Sequence, residues 1–151
     1  MEQIIIGIGW VGVYGAMALA AIGSAIGCAK AGQAACGAML ETESGHGRYI
    51  GLSAMASSQA VYGIVIMFTL MNVGVGLQNA MPLAAIGVLA GVALLISAIR
   101  QGECCASAIH AFKNKAEIFG KSIVPAAIVE GFSVFAFVFA LVASGNIPGV
   151  E

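Results

Sequence analysis

Charge is scarce in this 151-residue chain: Asp, Glu, Lys and Arg make up 9% of it, and there is no aspartate at all. Soluble domains carry about 25% charged residues, so the chain lacks the polar surface that keeps a globular protein dissolved. The six Lys and Arg residues form no basic block, which argues against a nucleic-acid partner. The four cysteines, Cys28, Cys36, Cys104 and Cys105, make no CxxC pair and no Cys/His metal spacing. They read as small apolar packing residues rather than as metal ligands or disulfides. Met1-Glu2-Gln3 lacks the basic start of a signal peptide, and the hydrophobic run behind it continues past signal-peptide length. The first span is therefore expected to be retained.

What the chain has instead is apolar and small. Hydrophobic residues make up 60%, with 21 glycines and a mean hydropathy of +1.01. That bias suits helices packed closely in lipid. A bilayer crossing takes about 20 mainly apolar residues. Four stretches qualify: roughly 4–29, 50–77, 82–99 with a helical extension, and 118–143. The expected fold is an all-α membrane protein of four transmembrane helices, arranged as two tandem related hairpins, 1–78 and 79–151.

The connections differ in kind. Residues 41–48 form a charged loop, 78–82 a short uncharged turn with Pro82 placed to start the third helix, and 110–121 a second charged connection. Lys30, Arg48, Arg100, Lys113, Lys115 and Lys121 all lie in or beside the first and third connections. The positive-inside rule puts those two connections in the cytoplasm and both termini outside. His46 and His110 read as solvated residues in or near these loops.

The halves show weak self-similarity. Val61-Tyr62-Gly63 lines up with Val129-Glu130-Gly131, and Gly23-Ser24 with Arg100-Gln101, which also pairs Cys28 with Cys105. Helix 1 carries small residues four apart, Gly12, Ala16, Ala20, Ser24 and Cys28, beside a second stripe of Gly23, Gly27, Ala31 and Ala35. Such stripes let backbones approach closely, and two on one helix favour a crowded seam such as the inner wall of a ring. Gly7-Ile8-Gly9-Trp10-Val11-Gly12 matches a dinucleotide-binding pattern, but it has neither the βαβ context nor the later acid that chemistry needs.

Glu130 falls near the middle of the last span, where an ionisable residue is expensive and usually functional. It needs a cation, or takes up a proton instead. Counting from the charged connections at about 1.5 Å per residue puts Gln59, Gln101 and Glu130 within one turn of a common level. Met55, Ser58, Gln59 and Tyr62 follow i, i+3, i+4, i+7 spacing and share a face. Glutamine and serine oxygens with a carboxylate make a hard-oxygen site suited to a small cation such as Na⁺, and a tyrosine hydroxyl is placed to hold the carboxylate. The plainer alternative is hydrogen bonding that only glues helices together.

Taken in order, Gly-Ser-Ala-Ile-Gly at 23–27, Ser58-Gln59-Ala60-Val61-Tyr62-Gly63, Arg100-Gln101-Gly102 and Val129-Glu130-Gly131 resemble the proteolipid rotor-ring subunit (K or c) of V-type and A/V-type ATPases in its duplicated form. Sodium-translocating members resemble the chain most. The resemblance implies a homo-oligomeric ring in the cell membrane that carries Na⁺, with Glu130, Gln59, Gln101, Ser58 and the Met55 carbonyl as ligands and Tyr62 supporting Glu130. Ser58 stands where that family has Thr. The resemblance also implies a stator subunit in the membrane, central stalk subunits at the cytoplasmic loops, surrounding lipid, and no bond chemistry in the subunit itself. The alternatives are the same rotor working with H⁺ and, from another class, a small four-helix proton-coupled transporter. A purely structural four-span protein leaves Glu130 and the duplication unexplained.

Overall fold

The computed structural model describes residues 1–149; the last two residues of the expected second hairpin, 150–151, lie outside them. Its elements are α1 (Glu2–Leu40), α2 (His46–Ala54), a 3₁₀ turn (Met55–Ser57), α3 (Ser58–Val73), α4 (Ala80–Asn114), a second 3₁₀ turn (Ala116–Ile118), α5 (Phe119–Ser122) and α6 (Val124–Ser144). Among the described residues there is no strand. Four helical segments, Glu2–Leu40, His46–Val73, Ala80–Asn114 and Ala116–Ser144, are long and apolar enough to cross a membrane, as the sequence predicts.

The boundaries differ from the expected ones for physical reasons. At about 1.5 Å per residue, the 39 residues of α1 span roughly 58 Å, nearly twice a hydrocarbon core of about 30 Å. Hydropathy finds only the part in lipid, so the helix runs eleven residues past the predicted end of the span at 29. The second span stops at Val73 rather than at 77, because Gly74 takes a positive φ of 76° that glycine adopts without steric cost. Pro82 sits in the first turn of α4 rather than opening it, since the helix already starts at Ala80. His46 and Arg48 belong to the first turn of α2, and His110 to α4, so both charged connections are more helical than their composition suggests.

The small-residue stripes of α1 are consumed within the chain. Gly12, Ala16, Ala20, Gly23, Ser24, Gly27, Ala31 and Ala35 are all buried, and Cys28 is partly so. A Cβ built on Gly23 would stand 2.6 Å from the Leu95 carbonyl oxygen, and one on Gly27 would run into the Ala98 carbonyl. Gly87 and Gly102 on α4 meet the backbone of Gly12 and Gly27 in the same way. The α1–α4 seam is thus backbone against backbone, the mode of association that lipid favours.

Two apolar clusters fill the bundle. One joins Ala31, Ala35, Tyr49, Leu52, Ile109 and Phe112 towards the charged end. The other joins Val13, Ala20, Ile66, Leu70, Leu83 and Leu94 towards the termini. At the charged end, Lys113 donates to Glu41 at 2.8 Å, Arg48 stands 5.0 Å over the Phe119 ring, and Tyr49 stacks on Phe112 at 4.7 Å. These contacts tie the first connection to the third. The hydrogen bond and charge of Lys113 hold the Glu41 carboxyl below the usual carboxylate range.

This packing can be tested at both ends. Gly23→Ala forces its new methyl onto Leu95 backbone, and thermal unfolding in detergent should show a loss of about 1–3 kcal/mol, the range for overpacking. Gly7→Ala, which meets nothing within 4 Å, should be neutral or gain up to about 1 kcal/mol of helix propensity. For Glu41, a folded pKa below the unfolded one means that its contribution is present above the unfolded pKa and is lost as pH falls through the folded value. An NMR titration of the Glu41 carboxyl should show a depressed midpoint that Lys113→Met restores.

Candidate ion site

A polar layer lies between the two apolar clusters. Gln59, Gln101, Ser133 and Ser24 are buried there, contributed by α3, α4, α6 and α1. Each carries a buried side-chain polar group that needs hydrogen-bond partners. In lipid those partners must be protein, and the side chains find one another.

The chain of contacts runs across three helices. Ser58 Oγ donates to Gln59 Oε1 at 3.2 Å and to the Met55 carbonyl at 3.3 Å. Gln59 Nε2 donates to Gln101 Oε1 at 2.7 Å, and Gln101 Nε2 donates to Glu130 Oε2 at 3.0 Å. Tyr62 OH donates to Glu130 Oε1 at a long 3.4 Å, its ring stacked on Phe137 at 5.0 Å. The structure therefore brings all six residues singled out in the sequence to one place, with Met55 joining through Ser58. Gln59 and Gln101 are fully buried, whereas Glu130, Ser58 and Tyr62 are partly exposed.

Glu130 sits at the edge of the bundle. Around it α6 presents Ile128, Phe132, Phe135 and Phe139 outwards, each about 60–70% exposed. An apolar outer face of this kind is suited to lipid or to another apolar helix. The carboxylate is thus held from inside by one amide and a hydroxyl, with hydrocarbon-like side chains beyond it.

Sequence reading missed Ser133. Its hydroxyl donates to the Glu130 carbonyl at 2.7 Å and accepts from Gln59 Nε2 at 3.4 Å, one turn from the acid. The i, i+3 spacing from Glu130 was the available signal, but a serine in a helix ordinarily bonds back to its own backbone. Ser97, which donates to the Val129 carbonyl at 3.1 Å, was invisible for the same reason.

The donor set is all oxygen: two amides, two hydroxyls, a carbonyl and one carboxylate. One formal negative charge balances one monovalent cation, whereas a divalent ion would leave a buried surplus. Among the described residues no three His, Cys, Asp or Glu side chains cluster to hold a metal, which sets this site apart from zinc-type centres. The four cysteines are free thiols, and Cys105, buried, approaches the Met55 sulfur at 3.8 Å.

A family model described as the ATP synthase C subunit matches residues 6–70 and 84–143, one segment in each half. An A-type ATP synthase subunit K from Methanocaldococcus jannaschii is 36% identical over 121 residues, 78% of this chain and 54% of that protein. This chain thus spans about half of that relative's length. A V-type sodium ATPase subunit K from Enterococcus hirae is 33% identical over 130 residues, 82% of this chain and 83% of its own length.

The hydrogen-bonded chain makes a prediction that does not depend on any ion. Gln101→Leu keeps the volume but leaves Gln59 Nε2 with only its long 3.4 Å contact to Ser133 and takes the amide donor from Glu130. Thermal unfolding should show a loss of about 1–3 kcal/mol, the cost of orphaning a buried polar group. Tyr62→Phe removes only the 3.4 Å contact and should cost less.

Proposed function

This chain belongs to the ATP synthase C subunit family, and on that premise we propose that it is the membrane rotor subunit of a V-type or A-type rotary ATPase, with Na⁺ as its cargo. The observation that carries the reading is the run Ser58–Gln59–Gln101–Glu130 closed by Tyr62: hard oxygens around a single carboxylate at membrane depth. A sodium ATPase subunit K among the relatives supports the choice of ion.

In this reading Glu130, Gln59, Gln101, Ser58 and the Met55 carbonyl hold the ion, while Tyr62 steadies the carboxylate. Na⁺ neutralises Glu130, and the neutral site passes the apolar face of α6 through lipid without exposing a charge. Copies of the chain form the ring. At a stator subunit in the membrane the ion is exchanged, and rotation is passed through a central stalk to ATP hydrolysis or synthesis elsewhere in the complex. The subunit makes and breaks no bonds. The four-span, multi-pass membrane architecture is what this task requires. The connections carrying Arg48, Lys113, Lys115 and Lys121 face the cytoplasm by the positive-inside rule, and the stalk docks there.

Proton carriage is the second reading. It is favoured by the partly exposed place of Glu130 beside the apolar outer residues Ile128, Phe132 and Phe135, where a proton can discharge the carboxylate as a cation would. Carbodiimide labelling of Glu130, followed by mass spectrometry across pH, separates the two, because the reagent attacks the protonated acid and a bound ion blocks it. Protection by Na⁺ but not by K⁺ or choline is the expected result. Labelling that follows pH alone would leave the proton rotor.

A further inference from the structure

The second span is broken at the level of the ion site: α2 ends at Ala54, a 3₁₀ turn covers Met55–Ser57, and α3 starts at Ser58. No proline or glycine lies between residues 52 and 62 to account for it, and such breaks usually have a nameable cause. A helix that starts here exposes N–H groups with no carbonyl one turn back, at a depth where water does not supply partners. The local hydroxyls do not help. Ser57, at the N-cap, makes no capping bond and donates backward to the Ala54 carbonyl at 2.7 Å. Ser58 points to Met55 and Gln59.

The cap comes from another helix. The Ala60 N–H, in the first turn of α3, donates to Ser24 Oγ of α1 at 3.0 Å, and Ser24 is only 6% exposed. One turn along α1, Gly27 leaves room for the 3₁₀ turn itself: a Cβ there would stand 2.9 Å from the Ala56 Cβ. In an unbroken helix the Ala60 N–H would return to the Ala56 carbonyl. Three residues changing from 3₁₀ to α geometry turn what precedes them by about 60° and shorten the helix by about 1.5 Å. In α geometry the Met55 carbonyl would accept from the Gln59 N–H, its i+4 partner, and so be drawn into the helix instead of being left for the site.

We propose that Ser24 is a positioning residue of the ion site, a cap supplied across helices that holds the second span in its broken form and so keeps the Met55, Ser58 and Gln59 oxygens in place. The inference rests on the ion reading above. It gives the duplication a physical sense, since Ser24 and Gln101, which line up between the halves, converge on the adjacent residues Ala60 and Gln59.

The test uses the assembled full-length protein with Ser24→Ala and Ser24→Thr. Glu130 labelling is titrated with Na⁺, and separately with pH in Na⁺-free buffer. Hydrogen exchange is followed over the peptide containing residues 55–62. Ser24→Ala should raise the Na⁺ concentration for half-protection about tenfold, in line with one orphaned buried donor. It should speed exchange in that peptide and leave the pH midpoint of labelling nearly in place. Ser24→Thr, which keeps the hydroxyl, should restore Na⁺ protection. Unchanged Na⁺ protection in Ser24→Ala, equal loss in Ser24→Thr, or a pH midpoint that moves as far as the Na⁺ midpoint would each overturn the proposal. Should Ser24→Ala not assemble, Ser24→Cys, similar in size and a weaker acceptor, is read by the same criteria. Failure of the sodium reading shows in the wild-type protein, as an absence of Na⁺ protection, and takes this proposal with it.

Discussion

A carboxylate at membrane depth has to be answered by protein, because hydrocarbon offers it neither water nor counter-ions. Much of the architecture around Glu130 follows from that demand. Gln101 and Tyr62 bond the carboxylate directly. Gln59 serves Gln101 in turn, and Ser58 serves Gln59. Each partner brings further polar groups that need partners of their own, so the requirement spreads from one acid on α6 to α3 and α4. It ends on residues that can satisfy themselves: Ser133 closes on the backbone of its own helix. No buried side-chain nitrogen or oxygen among the described residues is left without a partner.

Such a network works only if the helices stand close enough for short side chains to reach. The glycines provide that closeness. Gly23 and Gly27 on α1, and Gly87 and Gly102 on α4, put backbone against backbone on both sides of the polar layer. Packing and chemistry are therefore one problem here. A larger residue in the α1–α4 seam would separate the helix that carries Gln101 from the one that carries Ser24. The distances within the polar layer would change before any of its residues had been altered.

Much of this was legible in the sequence, for reasons that can be named. Four spans follow from hydropathy because lipid admits so few polar residues. The common level of Gln59, Gln101 and Glu130 follows from counting residues along the helices from the charged connections at one end. Helix length was misjudged where α1 continues beyond the hydrocarbon, since small and polar residues there still favour helix but no longer register as membrane, whereas the extension of α4 past 99 was expected. The break at Met55–Ser57 was not legible at all. Its cause is not in the local residues, which include neither Pro nor Gly, but in Ser24 and Gly27 some thirty residues earlier. Ser133 stayed hidden because nothing in a sequence says whether a helical serine serves its own backbone or a neighbouring helix as well.

The use of amides, rather than further charges, has a physical reason. A second carboxylate beside Glu130 would repel the first and raise its affinity for protons, while a lysine or arginine would neutralise it permanently and leave nothing for a cargo ion to do. A glutamine does neither. It has a donor end and an acceptor end, and Gln101 uses both, its nitrogen towards Glu130 and its oxygen towards Gln59. Under the proposed reading, a cation competes for the oxygen ends and the carboxylate, and on its departure Gln101 Nε2 again bonds the carboxylate and Gln59 Nε2 the Gln101 oxygen. The empty carboxylate is then answered by Gln101 and Tyr62, so release does not leave a bare charge in the membrane. A site required to let go as readily as it binds is best built from groups that are never strongly committed to either state.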